Sequence, residues 1–383
     1  MNRKTVMLTE IIAPYRIPVF NALATHQGID LKVIFLSETH PTLRQWRVYK
    51  DEIRFSYEVL PSWRFRVGHS HFLLNAGLSA SLKKFSPEAI ICGGYNYIAS
   101  WQALMWARRR GVRFILWSES NAQEARGQRK PVEFLKTHFR KRCDGFVVPG
   151  KSAFEYLRLL GSPAERIFTA PNAVDTTFFA TQAEQVKREP AVFREKFGLP
   201  RRFILFVGRL VRIKGVFDLL EAYAKLESGL RSEVGLVFAG DGVSREELVR
   251  QAKLVSPGTF CFPGFAQRED LAGLYALAET LVLPTHSEVW GLVVNEAMAC
   301  GLPIIVSSVA GCVADLVEDG WNGYVVPPGD SEKLSVAINS LVRQPEQRQR
   351  MRARSSERIR NYSPEACADG LAAAAISAAT GAR

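Results

Sequence analysis

The chain has 383 residues, 47% of them hydrophobic, and a formal net charge of +12 at pH 7. Its length exceeds the usual size of a single hydrophobic core and predicts two domains. The composition is ordinary for a soluble protein and contains no internal repeat. No apolar stretch approaches the roughly 18 uninterrupted residues that a membrane-spanning helix needs.

The first half of the chain alternates between strand-length apolar runs and segments with helical spacing of apolar residues. The strand segments are 5–8, 31–36, 89–92, 113–117 and 146–149, and the helical segments are 16–25, 71–85, 98–109 and 151–160. This alternation predicts a doubly wound parallel sheet. We expect the first domain to cover residues 1–180 and a linker with mixed charges and two prolines to cover 181–202.

A basic loop bounded by glycines opens the second domain, which we predict over residues 203–363. The apolar run 203–207 is a strand, and Gly208-Arg209-Leu210-Val211-Arg212-Ile213-Lys214-Gly215 follows it before a helical pattern. The fork of Arg209 suits phosphate oxygens, Lys214 adds a compact charge, and the helix start adds N–H donors. The loop therefore predicts an anion site, but it is not a dinucleotide fingerprint.

Two glutamates lie eight positions apart further along the chain. Residues 280–283 are a predicted strand ended by Pro284, and residues 290–299 are a predicted helix. Glu288 therefore lies near a helix N-terminus, and Glu296 falls on a similar face about two turns later. The N–H groups at such an end favour anionic or oxygen-rich ligands.

These motifs resemble glycosyltransferase family four, whose members are retaining enzymes of the GT-B fold. The family carries a Glu-x7-Glu element whose second glutamate begins Glu-Ala-Met-Ala-x-Gly-x-Pro, and residues 288–303 match this pattern in register. It also carries Gly-Arg-Leu-x-x-x-Lys-Gly, which residues 208–215 match. Residues 171–175 resemble the family's Pro-Asn-Gly-Val-Asp. The resemblance implies an α/β protein of two doubly wound Rossmann-like domains facing each other across a cleft. It also implies that a last helix, 364–380, packs back on the first domain.

The resemblance also assigns roles to the motif residues. Glu296 is expected to hold the nucleotide ribose and Glu288 to lie beside the donor sugar, while Arg209 and Lys214 stabilise the departing diphosphate. The remaining donor-binding residues it implies are Gly208, Gly240, Phe262, Gly291, Leu292 and Val293. Core packing is the favoured alternative for Phe262. The scattered cysteines form no Cys-x-x-Cys pair, and we expect neither a metal nor a cofactor besides the donor.

Two segments depart from the family pattern. Many members have a Gly-Gly loop after the first strand, and its backbone approaches the donor phosphates. In this chain, Arg16 either replaces these backbone N–H donors with a side-chain cation or is a surface arginine. Several relatives place a histidine after the strand 113–117, whereas this chain has Glu119. We take Glu119 as a catalytic candidate that bonds an acceptor or donor hydroxyl, with a helix-capping acid as the alternative.

The charge distribution bears on partners. Residues 1–180 contain 26 Lys and Arg against 14 Asp and Glu, whereas the remainder contains 24 of each. This one-sided positive charge indicates an anionic partner. Basic residues mixed with aromatics at 63–66 and 126–142 suit a membrane surface. For 126–142, a surface helix whose apolar side packs on its own sheet is an equally good interpretation. We expect a saccharide or lipid-linked saccharide acceptor and no nucleic acid. The N-terminus lacks a secretory layout, so we expect a cytoplasmic protein, peripheral at the inner face of the membrane.

The resemblance thus implies transfer of a sugar from a UDP- or GDP-sugar to an acceptor hydroxyl with retention at the anomeric carbon. Two other functions use the same phosphate loop. A nucleotide-sugar hydrolase or epimerase needs a carboxylate base or a water site and no second substrate groove. A non-catalytic nucleotide-sugar-binding protein keeps Glu296, Arg209 and Lys214 but does not need Glu288. A dehydrogenase is disfavoured because the glycine fingerprint is absent.

Overall fold

The structure is a computed structural model that describes residues 2–39, 46–67, 70–123 and 130–377. These residues belong to two compact units, one formed by the chain up to Ala173 together with the segment from Pro364, and the other by Val174–Ser363. Each unit contains a parallel β-sheet covered by helices. The predicted α/β class and the two Rossmann-like domains are therefore confirmed.

The first unit is built on a seven-stranded parallel sheet in the order β3-β2-β1-β6-β7-β8-β9. Its strands are β1 (Arg3–Thr9), β2 (Ile29–Phe35), β3 (Ser56–Val59), β6 (Ala89–Cys92), β7 (Arg113–Trp117), β8 (Gly145–Val148) and β9 (Ile167–Thr169), and β4 (Ser62–Val67) and β5 (Ser70–Asn75) form a separate hairpin. Its first five helices are α1 (Ile17–Thr25), α2 (Leu78–Phe85), α3 (Ile98–Arg110), α4 (Lys130–Arg140) and α5 (Lys151–Leu159). The inner strands β6, β7 and β8 are almost entirely buried because both faces of the sheet carry helices, whereas the edge strand β3 contains no buried residue.

The antiparallel hairpin of β4 and β5 differs from the prediction of one helix over 71–85. Residues 70–75 pair with 62–67, and helix α2 begins only after Gly77, whose φ is +83°. Alternate burial along β5, with Leu73 buried between the exposed Phe72 and Leu74, is the period of a strand rather than of a helix. Residues 126–129 of the basic stretch 126–142 lie outside the described residues.

The second unit is built on a six-stranded parallel sheet in the order β12-β11-β10-β13-β14-β15. Its strands are β10 (Phe203–Val207), β11 (Gly235–Ala239), β12 (Phe260–Gly264), β13 (Thr280–Leu283), β14 (Ile304–Ser307) and β15 (Gly323–Val326). Its helices are α6 (Thr176–Arg188), α7 (Pro190–Phe197), α8 (Val216–Ala224), α9 (Ser228–Glu233), α10 (Arg245–Val255), α11 (Arg268–Leu277), α12 (Leu292–Ala299), α13 (Val313–Leu316), α14 (Ser331–Arg343) and α15 (Pro345–Ile359). Two apolar layers, one on each face of the sheet, form its core.

Residues 181–202, which we predicted to be a linker, are mostly helical. They contain the end of α6 and all of α7, and Phe179 and Ala183 of α6 are buried against α11 and α12. The charges that suggested a linker lie on the outer side of these helices. The last described helix, α16 (Pro364–Ile376), packs on α1 and on strands of the first unit. No helix among the described residues is long and apolar enough to cross a membrane.

Candidate functional site

The predicted donor loops leave the second sheet at the point where its strand order reverses. The chain runs from β10 outward to β12 in one direction and from β13 to β15 in the other, so β10 and β13 are neighbours. In open parallel sheets, ligands bind outside the carboxyl ends of the strands at this point. The loop 208–215 follows β10 and the loop 284–291 follows β13, which places both motifs there.

The two loops are held against each other by backbone contacts. The amide of His286 donates to the carbonyl of Ile213 at 2.9 Å, and Thr285 Oγ1 donates to the same carbonyl at 3.1 Å. Gly215 has φ of +69°, and a Cβ at this position would lie 1.9 Å from the carbonyl oxygen of Pro284. Only glycine fits there, so Gly215 fixes the distance between the loops.

Lys214 and Glu288 meet across the two loops. The ammonium of Lys214 forms an ion pair with a carboxylate oxygen of Glu288, and the two side chains are only 15% and 19% exposed. Burial on both sides reduces screening, so this pair is held more firmly than a surface pair. Arg209 lies on the same loop as Lys214, and its side chain is exposed and bonds to no described residue. One cation is thus already partnered, and the other is available to a ligand.

A second close approach lies at the ends of β10 and β11. Gly240 has φ of +143°, and a Cβ on it would lie 1.9 Å from the carbonyl oxygen of Gly208. The amide of Gly208 donates to Ala239 at 3.0 Å, and the amide of Leu210 donates to Asp241 at 2.9 Å. The predicted donor-binding residues Gly208 and Gly240 are therefore in direct contact. Because neither has a side chain, only backbone atoms lie at these two strand ends.

Glu296 lies on α12 and is joined to a residue that the sequence did not indicate. The hydroxyl of Tyr275, on α11, donates to Glu296 Oε2 at 2.7 Å. Burial raises the pKa of Glu296 to about 7, although the Tyr275 bond acts in the opposite direction, and burial together with the nearby carboxylate raises the pKa of Tyr275 well above its usual range. No motif could have identified Tyr275, because its role follows from the packing of α11 against α12.

Three predicted residues form the N-terminus of α12. Gly291 is the N-cap, with φ of +101°, and Leu292 and Val293 are the first helical residues. Their amides lie at the N-terminal end of α12, directly after the loop 284–291 that contains Glu288. Phe262, by contrast, stacks on the fully buried Phe238 with ring centroids 5.5 Å apart, so its ring packs in the core layer of the sheet.

Arg16 and Glu119 form an ion pair in the first unit, although 103 positions separate them. They follow β1 and β7, which lie on either side of β6, so the carboxyl ends of these strands bring them together. The guanidinium of Arg16 also lies 3.8 Å from the centre of the Trp117 ring, a cation–π contact. Arg16 is therefore a fixed, mostly buried cation and not a surface arginine.

Two Rossmann-like domains, the second with a basic loop and paired glutamates at its strand reversal, have the architecture of the GT-B glycosyltransferase fold. Residues 188–358 match the family model described as glycosyl transferases group 1, and residues 20–178 match that of glycosyltransferase family 4. The chain belongs to this family.

Among its relatives, the chain is 32% identical to the alpha-D-kanosaminyltransferase of Streptomyces kanamyceticus, over 61% of this chain and 60% of that protein. It is 29% identical to the D-inositol 3-phosphate glycosyltransferase of Frankia alni, over 72% and 71%. The chain thus matches less than two thirds of the length of the first of these relatives. The crystal structure of Anabaena Alr3699/HepE in complex with UDP and glucose has a TM-score of 0.73 at 16% identity, covering 97% of this chain and 98% of that one. This last similarity shows the shared fold.

Proposed function

We propose that the protein is a retaining glycosyltransferase that moves a sugar from a nucleoside diphosphate sugar to an acceptor hydroxyl. The observation that carries the proposal is the Lys214–Glu288 pair at the strand reversal, with the exposed Arg209 on the same loop. A fixed cation beside a free one suits a diphosphate, which carries two adjacent negative groups. The UDP bound to the structurally similar Anabaena protein supports a nucleotide donor.

The chemistry assigned to this site needs charge stabilisation more than proton transfer. As the bond between the anomeric carbon and the diphosphate oxygen breaks, negative charge grows on the diphosphate, and Arg209 and Lys214 oppose it. The acceptor hydroxyl attacks the same face of the sugar and gives its proton to the departing phosphate oxygen, so no separate protein base is required. Glu288 orients the sugar and also holds Lys214 in place. We propose that this set of residues works without a metal.

The roles of the remaining residues follow the same reasoning. Glu296, once ionised, accepts hydrogen bonds from the ribose hydroxyls, and the amides of Gly291, Leu292 and Val293 face the phosphates. Glu119, held by Arg16, is proposed to meet an acceptor or donor hydroxyl from the first unit. The excess of basic residues in residues 1–180 supports an acidic acceptor such as a lipid-linked saccharide phosphate at the inner face of the cytoplasmic membrane.

The test is donor turnover followed by mass spectrometry. The purified protein is incubated with UDP-, GDP- and ADP-sugars and with crude lipid and glycan acceptors, beside Glu288→Ala and the control Glu332→Ala, which removes an exposed acid that pairs with Lys225. We expect acceptor-dependent release of one nucleoside diphosphate, lost only in Glu288→Ala, and a product that keeps the anomeric configuration. Equal release without any acceptor would identify a hydrolase, and binding without release would identify a binding protein.

A further inference from the structure

The hairpin of β4 and β5 carries an apolar face that points away from the body of the first unit. In its antiparallel register, Trp63 lies opposite Leu74 and Phe65 opposite Phe72, so the four side chains share one face. They are 60%, 38%, 44% and 40% exposed, and the rings of Phe65 and Phe72 stack with centroids 5.5 Å apart. We call these four side chains the hairpin face.

The opposite side of the hairpin is anchored to the unit. Leu73 is 4% exposed and belongs to the apolar layer that also contains residues of α2 and α3. Arg64 pairs with Glu10 at 3.2 Å, and the side-chain amide of Asn75 donates to the carbonyl of Leu36 at 2.6 Å. The hairpin is therefore held in position by its inner side. Its outer face is therefore an apolar patch on an anchored hairpin.

A cationic groove begins where the hairpin ends. It has a volume of about 860 Å³ and runs between α2 and α3 from Asn75 to Arg110. Three exposed cations, Lys83, Arg109 and Arg110, line it, and no acid is present among its described lining residues. Its apolar lining includes Met105, and Trp106 lies under Arg110 with the guanidinium 4.6 Å from the ring centre. Apolar surface and positive charge thus lie side by side.

We propose that the hairpin face and this groove dock the protein on a bilayer that contains anionic phospholipid. Aromatic side chains such as Trp63 and Phe65 favour the region between headgroups and acyl chains, and basic side chains beside them meet the lipid phosphates. The absence of acids among the described groove residues matches an anionic surface and disfavours contact with a second copy, whose groove would repel this one. Docking does not depend on the donor chemistry proposed above.

The 383-residue chain is tested by co-sedimentation with vesicles of phosphatidylcholine alone and of phosphatidylcholine mixed with phosphatidylglycerol. We expect binding to the mixed vesicles that weakens in 1 M salt, where the screening length falls to about 3 Å. The variant Trp63→Ser/Phe65→Ser should bind the mixed vesicles at least about tenfold more weakly, because two apolar side chains no longer enter the interface. The triple variant Lys83→Gln/Arg109→Gln/Arg110→Gln should lose the preference for anionic vesicles.

The control is Leu159→Ser, which removes a leucine of α5 in the same unit that is 78% exposed. Trp63→Phe supplies a second measurement: it should still bind vesicles but lose the part of the tryptophan fluorescence that brominated lipids quench. Equal binding by the hairpin variant and by Leu159→Ser would overturn the proposal. The proposal would also be overturned if the protein did not bind vesicles and instead formed dimers that dissociate in Trp63→Ser/Phe65→Ser. The hairpin face would then be a contact between two copies of the chain.

Discussion

Replacing Glu296 by glutamine should stabilise the ligand-free protein and weaken its hold on a nucleotide sugar. Burial raises the pKa of this carboxyl from 4.5 to about 7. The folded protein therefore binds a proton that the unfolded chain releases between these two values, and stability falls as the pH rises through this range. A pKa difference of about 2.5 corresponds to about 3 kcal/mol of folding stability. Because Glu296 is partly exposed, we expect a loss of roughly 2 kcal/mol.

Glutamine has no charge to bury, and its carbonyl can still accept the bond from Tyr275. We expect Glu296→Gln to raise the melting temperature of the second unit by about 4–8 °C at pH 8 and to change it little at pH 4. Differential scanning calorimetry between pH 4 and pH 8 measures this difference. A gain that is the same at every pH would refute the reasoning, because the stabilisation would not come from the buried charge.

Nucleotide binding should show the opposite preference. If the ribose hydroxyls bond to the ionised carboxylate, the wild-type protein should bind the best sugar nucleotide of the panel about tenfold more weakly at pH 6 than at pH 8. Glu296→Gln should bind more weakly by about tenfold or more at pH 8 and show no such slope. A nucleotide sugar is the appropriate ligand because its diphosphate does not titrate in this range. Calorimetric titration that gives equal slopes for both proteins would exclude Glu296 as the ribose ligand.

Three further substitutions probe the loops. Gly215→Ala should destabilise the protein by about 2 kcal/mol or more beyond Gly198→Ala in denaturant unfolding, since both glycines have positive φ but only Gly215 meets a carbonyl oxygen; equal losses would contradict the close approach. Lys214→Met should lower kcat by about 100-fold or more, whereas Lys225→Met, which removes an exposed pair, should leave it unchanged. Arg209→Ala should lower kcat more than it raises KM in steady-state kinetics; the reverse would assign Arg209 to ground-state binding alone.

Local sequence determined the strands that carry the motifs of the second unit closely. The predicted strands 203–207 and 280–283 coincide with β10 and β13, because each is a short apolar run between residues that end strands. The same local reasoning misjudged residues 71–85 and 181–202. In the first case, residues 70–75 form a strand because they pair with residues 62–67, and the local pattern of residues 71–85 does not show this pairing. In the second, charges on the outer side of two helices obscured the apolar side that packs in the unit.

The sequence by itself placed the candidate donor residues on loops after strands, since glycines, basic residues and glutamates follow apolar runs at fixed spacings. Only the tertiary structure decided which of them touch. Lys214 and Glu288 lie 74 positions apart, and they pair because β10 and β13 are neighbours in the sheet. Tyr275 reaches Glu296 because α11 packs on α12, and Arg16 reaches Glu119 because only β6 separates their strands. Spacing along the chain fixes secondary structure, but contacts between distant segments depend on strand order and helix packing, which no local pattern encodes.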